Sequence, residues 1–348
     1  MFAFISRRLI LSVFSVWVIS LLAFAVIQLP PGDAVDRYIE SLLTQSAGGQ
    51  ASMGIEASVL EADEVRKYYG LDQPFHVRYG KWIWNMRKLD FGYSYLRRGT
   101  SNARQIPVTE LIQDRLWMTL ILTAATVIFT FIVAFPIGIY SAMRQNTVGD
   151  YTATFVGFIG LSVPDFLLTI ILMYVFFKYF DTSVGGLFSP EIEYQPWSLI
   201  KLLDLLNHLI IPCIVIGTAG TAGQVRILRN NLLDELKKPY VITARSKGLV
   251  HWKVIMKYPL RIAINPMVSG IGQLLPSLIG GSVIISVILS LPTLGPILLE
   301  SIQGQDVYAG GFIVLMLGIL TIVGVLISDI LLAIIDPRIR MWDSETVN

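Results

Sequence analysis

From Ile262 to Leu299 the chain runs for 38 residues without one Asp, Glu, Lys or Arg. A helix on a soluble protein must show one face to water, so an uncharged stretch there seldom exceeds about 14 residues. The run therefore requires a second, apolar solvent, and composition agrees: 54% of the 348 residues are hydrophobic and 15% charged, against about 25% charged in soluble domains. A mostly soluble, fibrous or disordered chain is excluded. A net charge of +2 indicates neither an acidic nor a basic macromolecular partner, so nucleic acid is not expected. Cys213 is the only cysteine, which rules out an intrachain disulfide.

About 20 apolar residues in a helix cross the hydrocarbon, because the backbone must satisfy its own hydrogen bonds there. Six candidates meet that length: Leu9–Leu29, Leu116–Met143, Tyr151–Phe177, Leu209–Val225, Asn265–Leu289 and Phe312–Ile335. The fourth is short and continues into an Arg-bearing stretch. Pro136 and Pro164 fall inside spans two and three, where each should kink the helix or free a carbonyl. The first span follows Arg7-Arg8, and Ala23-Phe24-Ala25 mimics a signal cleavage site. Its 21 apolar residues exceed the about 7–15 of a signal peptide, so it reads as an uncleaved anchor.

Positive charge orients the spans. With the N-terminus in the cytosol, fourteen Lys and Arg lie inside: Arg7, Arg8, Arg144, nine from Arg226 to Arg261, Arg338 and Arg340. The short outside connections hold only Lys178 and Lys201, and the 11 bases of Pro31–Arg115 are balanced by 11 acids. Both termini are expected in the cytosol. The chain then divides into a cytosolic tip and first span at 1–30, an external subdomain at 31–115, a five-helix membrane core at 116–336 with a cytosolic loop at 226–261, and a cytosolic tail at 337–348. Within the external part, Ser46–Gly54 reads as mobile and Glu61–Tyr69 as a helix stopped by Tyr69-Gly70. The aromatics of Trp82–Tyr95 suit either substrate contact or an interfacial belt with a small core.

The loop Arg226–Arg261 is too long for a turn and carries its nine bases against only Asp234 and Glu235. Pro239 opens a helix and Gly248 closes it, so Tyr240–Lys247 spans about 12 Å. Tyr240, Ala244 and Gly248 share one face at i, i+4 spacing, where small residues permit close approach of a partner. Two readings stand: a docking element, or bases that enforce topology and touch anionic headgroups.

This segment, Tyr240-Val241-Ile242-Thr243-Ala244-Arg245-Ser246-Lys247-Gly248-Leu249, resembles the cytosolic EAA loop of bacterial ABC importer permeases. It is most similar to the dipeptide/oligopeptide branch, with Ile242 and Thr243 where the general pattern begins Glu-Ala. The likeness extends along the chain through Arg7-Arg8-Leu9, Pro31-Gly32-Asp33, Tyr69-Gly70-Leu71-Asp72-Gln73-Pro74, Arg78-Tyr79 and Asp90-Phe91-Gly92-Tyr93-Ser94. It continues through Ser162-Val163-Pro164, Leu291-Pro292-Thr293-Leu294-Gly295 and the closing Leu331–Arg340. One departure is Tyr258-Pro259 with Ile262, where the family often has His-Ala and Asn; a proline there should shorten or bend the second cytosolic helix.

The resemblance implies an all-α integral membrane protein with six transmembrane helices, the type I ABC importer permease fold, in a bacterial inner membrane. It implies a second homologous permease, two cytosolic ATPases (separate or fused), an external substrate-binding protein and surrounding membrane lipid as partners. Tyr240, Val241, Thr243, Ala244, Arg245, Lys247, Gly248 and Leu249 would form the coupling helix seated in the ATPase. Short peptides are the implied substrate, with oligosaccharides or other small solutes as the alternative. ATP and Mg²⁺ would sit on the partner subunits, because this chain lacks the phosphate loop G-x-x-x-x-G-K-S/T. It is expected to be no enzyme and to bind no cofactor.

The rest of the sequence offers little chemistry. His76, His208 and His251 are too scattered for a metal cluster. Serines in the spans read as bridges between helices, and Gly270, Gly272, Gly280 and Gly281 as positions of close packing. Two acids lie inside spans, and such acids suggest function by default. Asp165 either faces the pathway or bonds a backbone group freed by Pro164. Asp329 reads as an anchor for Arg338 or Arg340. An ion-driven secondary transporter, the rival class, would show internal repeats with matching broken helices, and none is evident.

Overall fold

Helix breaks in this chain fall where proline and capping residues require them. The computed structural model describes residues 2–28, 72–98, 105–180, 185–304 and 306–335. In chain order these form α1 (Phe2–Gln28), α2 (Phe75–Met86), β1 (Tyr93–Arg98), β2 (Gln105–Pro107), α3 (Val108–Met143), α4 (Val148–Ser162) and α5 (Asp165–Phe180). There follow α6 (Leu199–Leu236), α7 (Pro239–Ser246), α8 (His251–Lys257), α9 (Pro259–Ala263), α10 (Asn265–Ile288), α11 (Leu294–Gln303) and α12 (Val307–Ile335). β1 and β2 pair antiparallel, with Tyr93 opposite Pro107.

Four helices, α1, α3, α6 and α12, are each long and apolar enough to cross a membrane; counting two bent pairs as one span each makes six. The first pair is α4 with α5, which turn by 104°. Pro164 causes the break. It forces Val163 into an extended conformation (φ −82, ψ 124), and its own carbonyl then accepts from the Leu167 and Leu168 amides at 2.9 and 3.1 Å to start α5. Pro136, by contrast, stays inside an unbroken α3.

The fourth span is much longer than the apolar run Leu209–Val225. Ser198 accepts from the Lys201 amide at 3.3 Å and so caps a helix of 38 residues that continues to Leu236 through Pro212. Charge near its ends did not terminate it, because Lys, Arg, Asp and Glu side chains are compatible with a helix once they reach water or a partner.

The described residues fall into two spatial units, each with its own core. In the unit built from 1–10, 118–295 and 320–348, Leu122, Leu209, Val215, Ile216, Ile285 and Leu289 pack α3, α6 and α10 together. A second cluster of Leu228, Leu232, Ile255, Leu260 and Met267 joins α6 to α8, α9 and α10. Small residues set the spacing: a Cβ on Gly160 would lie 2.5 Å from Thr218, and one on Gly272 would lie 3.1 Å from Val325. Ser328 Oγ donates to the Val268 carbonyl at 2.6 Å, a serine bridging two spans. Gly270 and Gly272 are thus close-packed, whereas Gly280 and Gly281 meet nothing within 4 Å.

In the other unit, 11–117 with 296–319, Phe24, Trp82, Val307 and Leu315 are buried together. Trp82 therefore serves a small core, while Trp84 is exposed and lies under the Arg87 guanidinium at 4.3 Å. Buried Asp306 accepts from Ser94 Oγ at 2.6 Å and from the Ala309 amide at 3.0 Å, which ties β1 to the start of α12. The expected helix Glu61–Tyr69, the Ser46–Gly54 stretch, the Pro31–Asp33 motif and the residues Arg338 and Arg340 lie outside the described residues.

Candidate coupling segment

Helix α6 ends at Leu236, and two residues later Pro239 begins α7. Proline suits that position because the first-turn amide has no intrahelical acceptor and its φ is already helical. The Val241 amide closes the entry turn onto the Lys238 carbonyl at 3.0 Å. At the other end the Gly248 amide donates to the Arg245 carbonyl at 2.9 Å, with φ +77 at Gly248. That left-handed backbone favours glycine strongly, so the chain turns sharply into α8.

Burial divides the segment into two faces. Val241 and Ala244 are buried with Val254 of α8, and Tyr240 and Tyr258 pack around them. The Tyr240 hydroxyl donates to the Glu235 carboxylate, which fastens α7 back onto the end of α6. Burial, together with that carboxylate, pushes the Tyr240 phenol well above its usual range, so it keeps its proton and remains the donor. The opposite face is open: Ile242, Thr243, Arg245, Ser246, Lys247, Gly248 and Leu249 are exposed, as are Val250 and Trp252 beyond them.

This placement alters one expectation. The small-residue face containing Ala244 is occupied by the chain's own α8, and it is the face of Ile242, Arg245 and Leu249 that is free to receive another molecule. The cause is the next helix, α8, whose Val254 fills the space beside Ala244. That helix is short, as Pro259 requires: it stops at Lys257, Tyr258 leaves helical geometry (φ −115, ψ −79), and α9 starts afresh.

Asp165 stands at the first turn of α5, directly after the break at Pro164. It is half-buried, and its side chain has no hydrogen bond among the described residues. Asp329 is paired at 2.8 Å with Arg8 of α1, a partner the sequence reading did not name, while Arg338 and Arg340 lie outside the described residues. The pairing joins the two ends of the chain and could not be read from residue spacing.

The charged group that sequence reasoning missed lies at the α4 end of α6. Asp150 is buried, and its carboxylate accepts two bonds from the Arg229 guanidinium, both at 2.8 Å. Ser141 Oγ of α3 also donates to it, as does the Asn146 amide at 3.0 Å. Three helices and one turn thus meet at a single carboxylate. A partial signal existed: Thr147 and Asp150 have the Thr-x-x-acid spacing of a helix start, and Thr147 does cap α4. Arg229, counted in the sequence only as one of nine loop bases, belongs to the helix and is committed to Asp150.

With this geometry in view, the likeness to known proteins is decisive. Residues 134–341 match the family described as binding-protein-dependent transport system inner membrane component. The chain belongs to that family. It is 35% identical over 343 residues to the oligopeptide transport system permease protein AppB of Bacillus subtilis, covering 98% of this chain and 100% of that one. It is 31% identical over 358 residues to the dipeptide transport system permease protein DppB of Escherichia coli, covering 98% and 99%. In fold it matches a chain from inward-facing structures of the MetNI methionine ABC transporter, with TM-score 0.51 and 16% identity, over 66% of this chain and 97% of that one. As a family member, this chain is a multi-pass membrane permease component of a binding-protein-dependent transport system. The matched region contains α7, the exposed face of the coupling segment and the Asp150–Arg229 pair.

Proposed function

We propose that this chain forms one half of the translocation pathway of an ATP-driven importer of short peptides. A second, homologous permease supplies the other half, two cytosolic ATPases drive it, and an external binding protein delivers the substrate. The observation that carries the reading is the short helix α7, held to α6 and α8 on one face and exposed on the other, in a chain similar to oligopeptide and dipeptide permeases over nearly its whole length. ATP and Mg²⁺ belong to the ATPases, and hydrolysis is theirs.

In this reading Ile242, Thr243, Arg245, Lys247, Gly248 and Leu249 meet the ATPase, while Tyr240, Val241 and Ala244 hold the helix in place. Closure of the two ATPases moves α7, and the bistable membrane core switches between inward- and outward-facing states through contacts that differ between them. Both termini and α7 are cytosolic. Asp165, half-buried at the start of α5, is assigned to the pathway wall.

Gly248→Asp tests the coupling assignment. A side chain at Gly248 would enter open space but sit on a left-handed backbone, a region aspartate visits more readily than most residues, so the chain should still insert, while the new carboxylate stands on the docking face. Uptake of a radiolabelled dipeptide should fall by more than about tenfold with normal membrane levels of the chain. Normal uptake in that variant would overturn the coupling role. Failure of an ATPase to co-purify in stoichiometric amount would overturn the importer reading itself.

A further inference from the structure

A cavity of about 1070 Å³ lies among α3, α4 and α6. At one end its wall is mostly apolar, with Phe129 and Val133 of α3 and Leu161 of α4, beside Thr218 and Thr221 of α6. At the other end, beside the α3–α4 turn, the lining becomes polar with Tyr140, Thr152, Arg226 and Asn230. Along α6 it extends from Thr218 to Asn230, about 18 Å at the helical rise. One leaflet of the hydrocarbon core is about 15 Å deep. A pocket between spans, one leaflet long, apolar at one end and basic at the other, has the dimensions and polarity of a membrane amphiphile.

The two arginines at the polar end differ in availability. Arg229 is bound by Asp150. Arg226 is exposed, lies over the Phe158 ring at 4.7 Å, and has no carboxylate partner among the described residues. Stacking on Phe158 holds its guanidinium plane while leaving its N–H donors free, the arrangement suited to bidentate capture of a phosphate. Asn230, one turn further along α6, adds an amide donor. Against Phe129, Val133 and Leu161 a peptide's backbone amides would find few partners beyond the Thr218 and Thr221 hydroxyls, whereas an acyl chain needs none.

We propose that this cavity holds an acyl chain of an anionic phospholipid, with the headgroup phosphate on Arg226 and Asn230. Basic pockets between spans are suited to such headgroups in general. The site depends on the packing of α3, α4 and α6 and stands apart from the identity of the transported solute.

The test uses the full-length chain purified with the subunits that accompany it. It is exchanged into detergent containing phosphatidylglycerol or phosphatidylcholine of identical acyl chains, and retained lipid is read by native mass spectrometry. Phosphatidylglycerol should be retained about tenfold over phosphatidylcholine, the scale of one charge-assisted pair. Arg226→Gln should bring the two within about twofold, and Arg226→Lys should keep part of the preference. Val133→Trp, which fills the apolar end, should lower retention of both lipids. Equal retention by the native chain, or an undiminished preference in Arg226→Gln, would overturn the proposal. Displacement of the lipid by tri-alanine in an Arg226-dependent manner would likewise overturn it and assign the cavity to transported solute.

Discussion

At the scale of single residues, the Asp150–Arg229 pair is the most consequential contact in the described chain. Its carboxylate accepts from a guanidinium, a hydroxyl and a backbone amide, so removing the charge strands Arg229 and weakens the acceptor of the Ser141 and Asn146 donors. Asp150→Asn should destabilise the chain by about 1–3 kcal/mol, less than a fully buried pair broken from one side, because the Arg229 side chain is partly exposed. The double variant Asp150→Asn/Arg229→Gln should recover part of that loss, because no uncompensated charge remains. Thermal unfolding of both variants in detergent measures the difference, and equal losses would contradict the argument. The pair spans 79 positions, so neither residue's neighbours announce the other. Asp329 teaches the same lesson: Arg338 and Arg340 were the near candidates in sequence, and among the described residues Arg8, 321 positions away, pairs with it. Gly248 is the contrasting case. Its left-handed φ was legible because a helix that opens with proline and ends in glycine carries both signals within ten residues.

At the scale of elements, the membrane helices are spaced by what their small residues admit. Gly160 of α4 meets Thr218 of α6, and Gly272 of α10 meets Val325 of α12, at distances that exclude a larger side chain. Gly160→Leu should separate α4 from α6 and cost about 1–3 kcal/mol, as overpacking does. Gly280→Ala meets nothing within 4 Å and should leave thermal stability unchanged or raise it by up to about 1 kcal/mol through helix propensity. Comparing the midpoints of the two variants in detergent checks both statements. The four glycines of the fifth span looked alike in sequence, because composition reports that close approach is permitted without saying from which side a neighbour comes. The helix α6 was likewise longer than its apolar run, since hydropathy locates the part in lipid and is blind to helix that continues into water. The break between α4 and α5 was more visible, because proline acts on its own neighbours.

At the scale of the whole molecule, the proposed cytosolic placement of both termini rests on the distribution of Lys and Arg and is open to a direct test. The native cysteine, Cys213, is buried, and a Cys213→Ser background would leave a single introduced thiol. Lys247→Cys, on the exposed side of the coupling segment, should react with a membrane-impermeant maleimide only after the membrane is opened. Labelling in intact cells would reverse the assigned orientation. The need for a membrane, the all-helical class, the family and the position of α7 were all determined by the sequence alone. Each depends on local signals: apolar length against the thickness of the bilayer, proline and glycine at helix ends, and ordered motifs along the chain. Tertiary structure alone decided which face of α7 is buried by α8, which basic residue holds Asp150, which holds Asp329, and that α3, α4 and α6 enclose a cavity with Arg226 at its polar end. Those are contacts between residues distant in sequence, and their energies depend on distance and direction in space, which no local pattern of residues encodes.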